Sequence, residues 1–308
     1  MSAPGRSGIL VVDKDVGPTS FDVVALVRRE LGVRRVGHAG TLDPEASGIL
    51  PVLVGEATKL TPYLVDQDKA YRATVRFGVT TDTHDLTGRV LAERPVAGLS
   101  PARVEAACGP FVGRVQQTPP MYSAVHHAGR RLYELAREGI EVARVPRTVL
   151  VRSITVEAVD GPRATLTIVC GKGTYVRVLA ADIGEALGCG GAVERLVRTR
   201  VGPFGLDGAV PSGAIRGAGS ALWDRLLPPE AALAGWPRVS VDRRGEAAFT
   251  HGQAADVHPP VAPGRGLVSV HAGAGVLLGV GELAGDGSKV QPVRLLHADD
   301  PGTRVLPA

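Results

Sequence analysis

Cysteine is scarce in this sequence. Cys108, Cys170 and Cys189 are the full complement, with no paired spacing and no CxxC, which argues against a disulfide framework and a cysteine-built zinc site and suits a reducing compartment. Lysine is nearly as rare: Lys14, Lys59, Lys69, Lys172 and Lys289 are five of 35 basic residues, so 30 are arginine. A basic surface made of arginine offers planar, bidentate donors suited to phosphate, although a GC-rich genome would give the same bias. No run of about 18 apolar residues occurs, and Met1 to Ser7 lacks the apolar core of a signal peptide. Neither secretion nor membrane insertion is expected; a soluble, cytoplasmic protein is.

What is present in excess is turn-forming residue. The 40 glycines and 23 prolines among 308 residues imply many short elements, while 44% hydrophobic content rules out wholesale disorder. The length fits one large domain and one small one. Net charge is +4 and the isoelectric point about 9.1, so an anionic partner is plausible.

The chain is organised around Gly37-His38-Ala39-Gly40-Thr41-Leu42-Asp43-Pro44-Glu45-Ala46-Ser47-Gly48. Three glycines permit positive φ and close backbone approach, and Pro44 restricts Asp43 to extended conformations, so the aspartate is held in a stiff loop. Leu50 to Val54 reads as a buried strand that fastens the exit of the loop. On these residues alone an ordinary Asp-Pro turn is the commoner reading.

The segment from Gly37 through Ser47-Gly48-Ile49-Leu50 closely resembles the signature loop of the TruB family of pseudouridine synthases. The resemblance implies a cofactor-independent isomerase that converts the T-loop uridine of tRNA, position 55, to pseudouridine. Asp43 then stands in the place of the essential aspartate. It also implies no metal, a tRNA T-arm as partner, and a monomer.

Taken in order, Ile9 to Val12 reads as a strand and Thr19-Ser20-Phe21-Asp22 as a capping box that opens a helix. Val23, Val24, Val27 and Leu31 line its inner face and Gly32 ends it. Lys14 lies where an anion could sit near the helix start, and a solvated lysine is the plainer reading. The family has a similar Asp-Lys-Pro-x-Gly-x-Thr-Ser segment, in which Asp15 here replaces the proline. His38 is expected at the RNA, stacking on a base rather than moving protons, and Lys59 joins the expected RNA contacts.

Ala70 to Val79 alternates cleanly, with Tyr71, Ala73, Val75, Phe77 and Val79 on one face. Core packing explains Tyr71 by pattern; the resemblance puts it against the target base. Thr80 to Asp85, rich in acids and hydroxyls, could suggest a metal, which the resemblance argues against; it reads as an Asx-turn loop, and Ser100-Pro101 as the start of a helix through Ala107. Gln116 to Arg147 reads as an insertion with a basic cluster of His126, His127, Arg130, Arg131 and Arg137. Basic and aromatic residues interleave there as in single-strand nucleic-acid binders, a solvated helix face being the alternative. By resemblance this is a mobile thumb that clamps the tRNA loop through Arg130 and Arg131.

Val149 to Val159 and Arg163 to Cys170 read as a hairpin about Asp160-Gly161-Pro162. In Gly173-Thr174-Tyr175-Val176-Arg177, a helix begins whose Val176, Leu179, Ala180, Ile183 and Leu187 share one buried face. A guanidinium in the first turn can pair with a carboxylate and favour its charged form. Resemblance to the family's Gly-Thr-Tyr-x-Arg segment makes Asp43 the partner of Arg177, sets Tyr175 at the RNA, and makes Leu196 an apolar contact to the base, where a core leucine is an equal reading.

Gly202 to Trp236 has little periodicity and reads as linker and domain edge. From Pro237, a short helix near Arg244 to Phe249 and strands near Leu267 to His271, Val276 to Leu283 and Val290 to Leu296 suggest a small β-barrel resembling the PUA RNA-binding module. The expected domains are residues 1–236, with the thumb at 116–147, residues 237–298, and a loose tail from 299 to 308.

The sequence by itself gives α+β; the family implies a mixed, mainly antiparallel sheet with flanking helices about a central cleft. Two rivals remain. Asp43 with Glu45 could be a glycosidase pair, but two acids beside one proline cannot easily flank a bond at about 5 Å or more. An RNA-binding or tRNA-folding protein on the same scaffold would need no catalytic aspartate.

Overall fold

The computed structural model describes residues 6–262, 264 and 266–296. The expected tail from 299 to 308 lies outside the described residues, as does the last part of the expected C-terminal domain.

Two apolar layers on one large sheet build the first part of the chain. Strand β1 (Gly8–Lys14) leads to helix α1 (Ser20–Leu31), followed by β2 (Val36–His38) and β3 (Ala46–Val54). The capping box read at Thr19 forms in full: Asp22 N–H donates to the Thr19 hydroxyl while the Asp22 carboxylate accepts from Thr19 N–H, and Gly32 closes the helix in the left-handed region. Val23, Val24, Val27 and Leu31 are buried against Leu10, Val12, Leu50 and Val52. Each such aliphatic side chain contributes about 1.5–3 kcal/mol when fully buried.

The short helix α2 (Thr61–Val65) precedes β4 (Lys69–Phe77), and β5 (Val79–Thr81) pairs with β6 (Val90–Glu93). Helix α3 (Pro101–Cys108), capped by Ser100, leads to β7 (Gly113–Gln117). A small hairpin, β8 (His126–His127) with β9 (Arg130–Arg131), and helix α4 (Leu132–Arg137) stand between β7 and β10 (Arg147–Asp160). Then come β11 (Arg163–Cys170), helix α5 (Val176–Ala186), β12 (Gly191–Val201), β13 (Phe204–Gly205) and β14 (Val210–Pro211).

The main sheet runs β14-β1-β3-β12-β4-β11-β10-β7, with β2 added to β3 and β13 to β12. Only β1 with β14 and β3 with β12 are parallel; the remaining pairs are antiparallel, which makes the sheet mixed and mainly antiparallel. The β3–β12 seam matters most, because it joins the strand leaving the Asp43 loop to the strand carrying Leu196. Beside it, α5 buries Val176, Leu179, Ala180, Ile183 and Leu187 on β4, β11 and β12. Gly184 permits that approach, since a Cβ there would lie 2.2 Å from Gly191 N.

The stretch read as a linker is packed instead. Val210 pairs with Val12 in parallel, and Ile215, Leu222, Ala232 and Leu233 are buried. Short 3₁₀ turns at Ser212–Ala214, Gly219–Arg225 and Pro229–Leu233 give it no period for a sequence pattern to show.

The C-terminal part holds β15 (Arg238–Val241), helix α6 (Arg243–Thr250), β16 (Ala255–Asp256), β17 (Gly266–Ala272), β18 (Leu277–Leu283) and β19 (Lys289–Leu295). They form a curled sheet in the order β15-β17-β18-β19-β16 around Phe249, Val268, Val270 and Val290. Among the described residues β15 and β16 are not neighbours, so this is a half-barrel of the PUA-like type rather than a closed one. Val280 and Leu296 join the cluster of Ile9, Leu53 and Leu233, which seats the module on the main sheet.

Candidate active site

Asp43 leaves the loop before β3 and meets Arg177 from the first turn of α5. Arg177 Nε donates to Asp43 Oδ2 at 2.8 Å, and the side chains are 7% and 38% exposed. The guanidinium is fixed at its far end too: Nη1 donates to Thr83 O at 2.7 Å and Nη2 to Tyr122 O at 2.9 Å. Asp85 Oδ2 lies 3.7 Å from Nη1. An arginine engaged at every nitrogen has one orientation, and it presents the carboxylate to an open cavity.

That cavity has a volume of about 250 Å³; Asp43, Tyr71, Tyr175, Arg177 and Leu196 are all on its wall. Tyr71 on β4 and Arg198 on β12 are directly opposite in the sheet register, and burial raises the phenol pKa of Tyr71. Leu196 is 8% exposed and pairs with Ala46 on one side and Ala73 on the other. Burial likewise raises the pKa of Tyr175. Its backbone is clasped from the sheet edge, where Gln117 Oε1 accepts from Tyr175 N at 2.7 Å and Gln117 Nε2 donates to Tyr175 O at 3.0 Å. The result is one carboxylate against a phenol and a leucine, a setting that can hold a planar base while an acid acts beside it.

Residues that sequence reading passed over fix the Asp43 loop. Arg198 is 1% exposed, and its guanidinium donates to Ile49 O at 2.7 Å, Thr41 O at 3.1 Å and Gly40 O at 3.1 Å. Ser20 Oγ exchanges hydrogen bonds with the backbone of Leu42, accepting from its N–H at 2.8 Å and donating to its oxygen at 3.0 Å. Gly48 is required where β3 touches β12: its φ is +106° and a Cβ would lie 2.2 Å from Arg198 O. A signal for Arg198 existed, since in a strand it shares the face of Leu196 two positions before it, but nothing local names the carbonyls it reaches.

Five of the expected RNA contacts, Lys14, Lys59, His38, Arg130 and Arg131, are not on the cavity wall. Lys14 is fully buried, and its ammonium donates to Asp15 O, Pro18 O and Pro44 O at 2.8, 2.9 and 3.4 Å. Desolvation lowers its pKa to about 8, against the opposing pull of Asp43. It braces the loop from within and has no surface to offer a phosphate. Lys59 is not on the cavity wall; its ammonium is 2.6 Å from Glu56 Oε2, because the 3₁₀ turn Gly55–Leu60 sets the two on one side. His38 is half-buried in β2, its pKa lowered by burial and then by Arg198, with Arg131 also near enough to act on it. Arg130 and Arg131 are exposed on β9, and Arg130 pairs with Glu138 at 2.5 Å. Glu45 is exposed and off the cavity wall, so the paired-carboxylate alternative has no second acid here.

The loop read as an Asx turn does more than turn. Asp85 accepts from Thr83 Oγ1 and from the Thr87 N–H and hydroxyl, at 2.8, 3.1 and 2.6 Å. Thus folded, the loop offers Thr83 O to Arg177.

Comparison with known proteins agrees with this geometry. Residues 28–176 match the model of the TruB family pseudouridylate synthase N-terminal domain, 177–234 that of the tRNA pseudouridylate synthase B C-terminal domain, and 237–296 that of the pseudouridine synthase II TruB C-terminal region. The tRNA pseudouridine synthase B of Symbiobacterium thermophilum is 50% identical over 80% of this chain and 82% of its own. That of Ralstonia nicotianae is 43% identical over 94% of each. Among solved structures, a chain of a Cbf5-Nop10-Gar1 complex superposes with a TM-score of 0.72 at 25% identity, covering 96% of this chain and 87% of that one. With an inward-facing aspartate on the signature loop and this identity over nearly the whole length, the chain belongs to the TruB family of pseudouridylate synthases.

Proposed function

We propose that the protein isomerises the uridine at position 55 in the T-loop of tRNA to pseudouridine, with Asp43 as the catalytic residue. The observation that carries this reading is the Asp43–Arg177 pair, 2.8 Å apart on the wall of a cavity that Tyr71 and Leu196 also line. In the reaction the N1–C1′ bond of uridine breaks, the uracil turns while held, and a C1′–C5 bond forms; C5 loses a proton and N1 gains one. No electrons are exchanged, so the chemistry itself demands no redox cofactor. Asp43 can serve as nucleophile or as proton acceptor, and either role needs a fixed carboxylate.

A uridine stacked in an RNA loop is out of reach, so the nucleotide enters by flipping, at a cost of a few kcal/mol. Tyr71 and Leu196 receive the base, Tyr175 borders it, and His38 lies beside the flipped nucleotide. Arg177 orients Asp43. Arg130 and Arg131 on the thumb hairpin hold phosphates, and the module from residue 237 adds RNA affinity. The domain division at 236/237 follows from this assignment. The described residues include no helix long and apolar enough to cross a membrane, and we place the enzyme in the cytoplasm as a monomer.

The test is pseudouridine formation in an unmodified T-arm stem-loop. The wild type converts the uridine, whereas Asp43→Asn binds the RNA and does not convert it; binding without conversion by the wild type would leave an RNA-binding protein in its place.

A further inference from the structure

A second cavity, of about 280 Å³, lies where the main sheet meets the C-terminal module. Its wall includes Tyr63 and Trp236, whose rings meet edge to face at 5.4 Å and 79°. One short segment separates it from the catalytic cavity: Val65 and Lys69 line the catalytic side, while Asp66, Gln67 and Asp68 line the other. The two chambers therefore share a wall.

The polar groups of this chamber suit a nucleobase. Gln67 packs its methylenes against Gly202, where a Cβ would come within 3.0 Å, and its amide, a donor and an acceptor side by side, has no hydrogen-bond partner among the described residues. Two acids of its wall hold cations in exposed, exchangeable pairs: Asp66 with Lys172, a residue of the catalytic cavity, at 2.8 Å, and Asp68 with Arg152, itself on this wall, at 3.1 Å. The side chains of these cations are 63% and 54% exposed, so either can turn from its aspartate to a phosphate at little cost. Leu267 closes the apolar side from the C-terminal module.

We propose that this chamber is a second base subsite, which takes one unpaired nucleobase of the same RNA whose target uridine enters the catalytic cavity. The base stacks on the Tyr63–Trp236 corner, its edge is read by Gln67, and its flanking phosphate lies on Lys172 and Arg152. This rests on the RNA-modifying reading above. It also gives the C-terminal module a role at the base level, since Leu267 belongs to it.

The protein has two tryptophans, so Trp223→Phe leaves Trp236 as the sole reporter, and Trp223 lies on the far cluster beneath α1. T-arm stem-loops carrying an abasic nucleotide at each unpaired position in turn are titrated against this variant. The intact RNA should quench Trp236, and one abasic position, other than the target uridine, should abolish the quenching. Gln67→Ala and Leu267→Asp should each raise KM about fivefold to tenfold with kcat unchanged, the scale of one lost hydrogen bond or apolar contact. Emission indifferent to every abasic position, or wild-type KM in both variants, overturns the subsite. Failure of the wild type to convert the intact stem-loop would overturn the function instead, and leaves the quenching readable.

Discussion

The loop that carries Asp43 and the hairpin that carries Arg130 and Arg131 face the same substrate in our reading, yet they are held in opposite ways. The loop is gripped from below by the buried Arg198, Lys14 and Ser20 and from the side by Arg177. The hairpin pairs two residues with two, carries exposed side chains throughout, and ties down Arg130 with a surface ion pair to Glu138. Surface pairs are worth about 0–1 kcal/mol, whereas each unsatisfied buried polar group costs about 1–3 kcal/mol. In that reading chemistry sits on the part held by buried hydrogen bonds, and capture on the part held at the surface. The two meet at Tyr122, whose carbonyl closes the shell of Arg177 from the root of the thumb.

The comparison is broken most severely at the carboxylate. Asp43→Asn should lower the rate of pseudouridine formation in a single-turnover assay by about 10⁴-fold, the upper range for loss of a positioned acid or base, with RNA affinity nearly intact. Arg198→Met comes next. It leaves the carbonyls of Gly40, Thr41 and Ile49 without their donor, so urea unfolding should show a loss of about 3 kcal/mol or more, accompanied by a fall in kcat because the loop loosens.

A smaller effect sharpens the contrast through pH. The Lys14 pKa in the folded protein is about 8, below its ordinary value of 10.5. Between those values the unfolded chain binds more protons, so Lys14 contributes stability that rises as pH climbs from about 8 toward 10.5. The stability difference between wild type and Lys14→Met should therefore shift in favour of the wild type across that window and be flat below it. Equal slopes in the two proteins would mean that the ammonium is not desolvated. The least effect on folding is expected at the hairpin. Arg130→Ala with Arg131→Ala should leave stability within about 0.5 kcal/mol, while each arginine–phosphate pair removed lowers the salt dependence of RNA binding by about one unit of slope.

Legibility follows the range of the interactions. The capping box at Thr19, the left-handed Gly32, the buried face of α5 and the hairpin about Gly161 are all visible in the sequence, because each is written in residues a few positions apart. Asp43, Tyr71, Arg177 and Leu196 are reached through a family resemblance, and they line one cavity. Arg198 and Gln117 escape a local reading, since their partners lie 149 to 158 and 58 residues away. Lys14 is misplaced by it, because a lysine in the loop between a short strand and a capped helix reads as one reaching solvent. The stretch from 202 to 236 looks like a linker for want of periodicity, which 3₁₀ turns packed on a sheet do not produce.

By itself, the sequence determined the stiff Asp-Pro loop, the starts and stops of its main helices, and the alternation that turns Tyr71 inward, for these depend on φ restriction, capping and side-chain period along one segment. Tertiary structure alone decided that β3 runs parallel to β12, that Arg177 reaches Asp43 across 134 residues, and that Lys14 is enclosed. Those outcomes depend on which strands become neighbours, and a neighbour in a sheet is chosen by the burial of the whole chain.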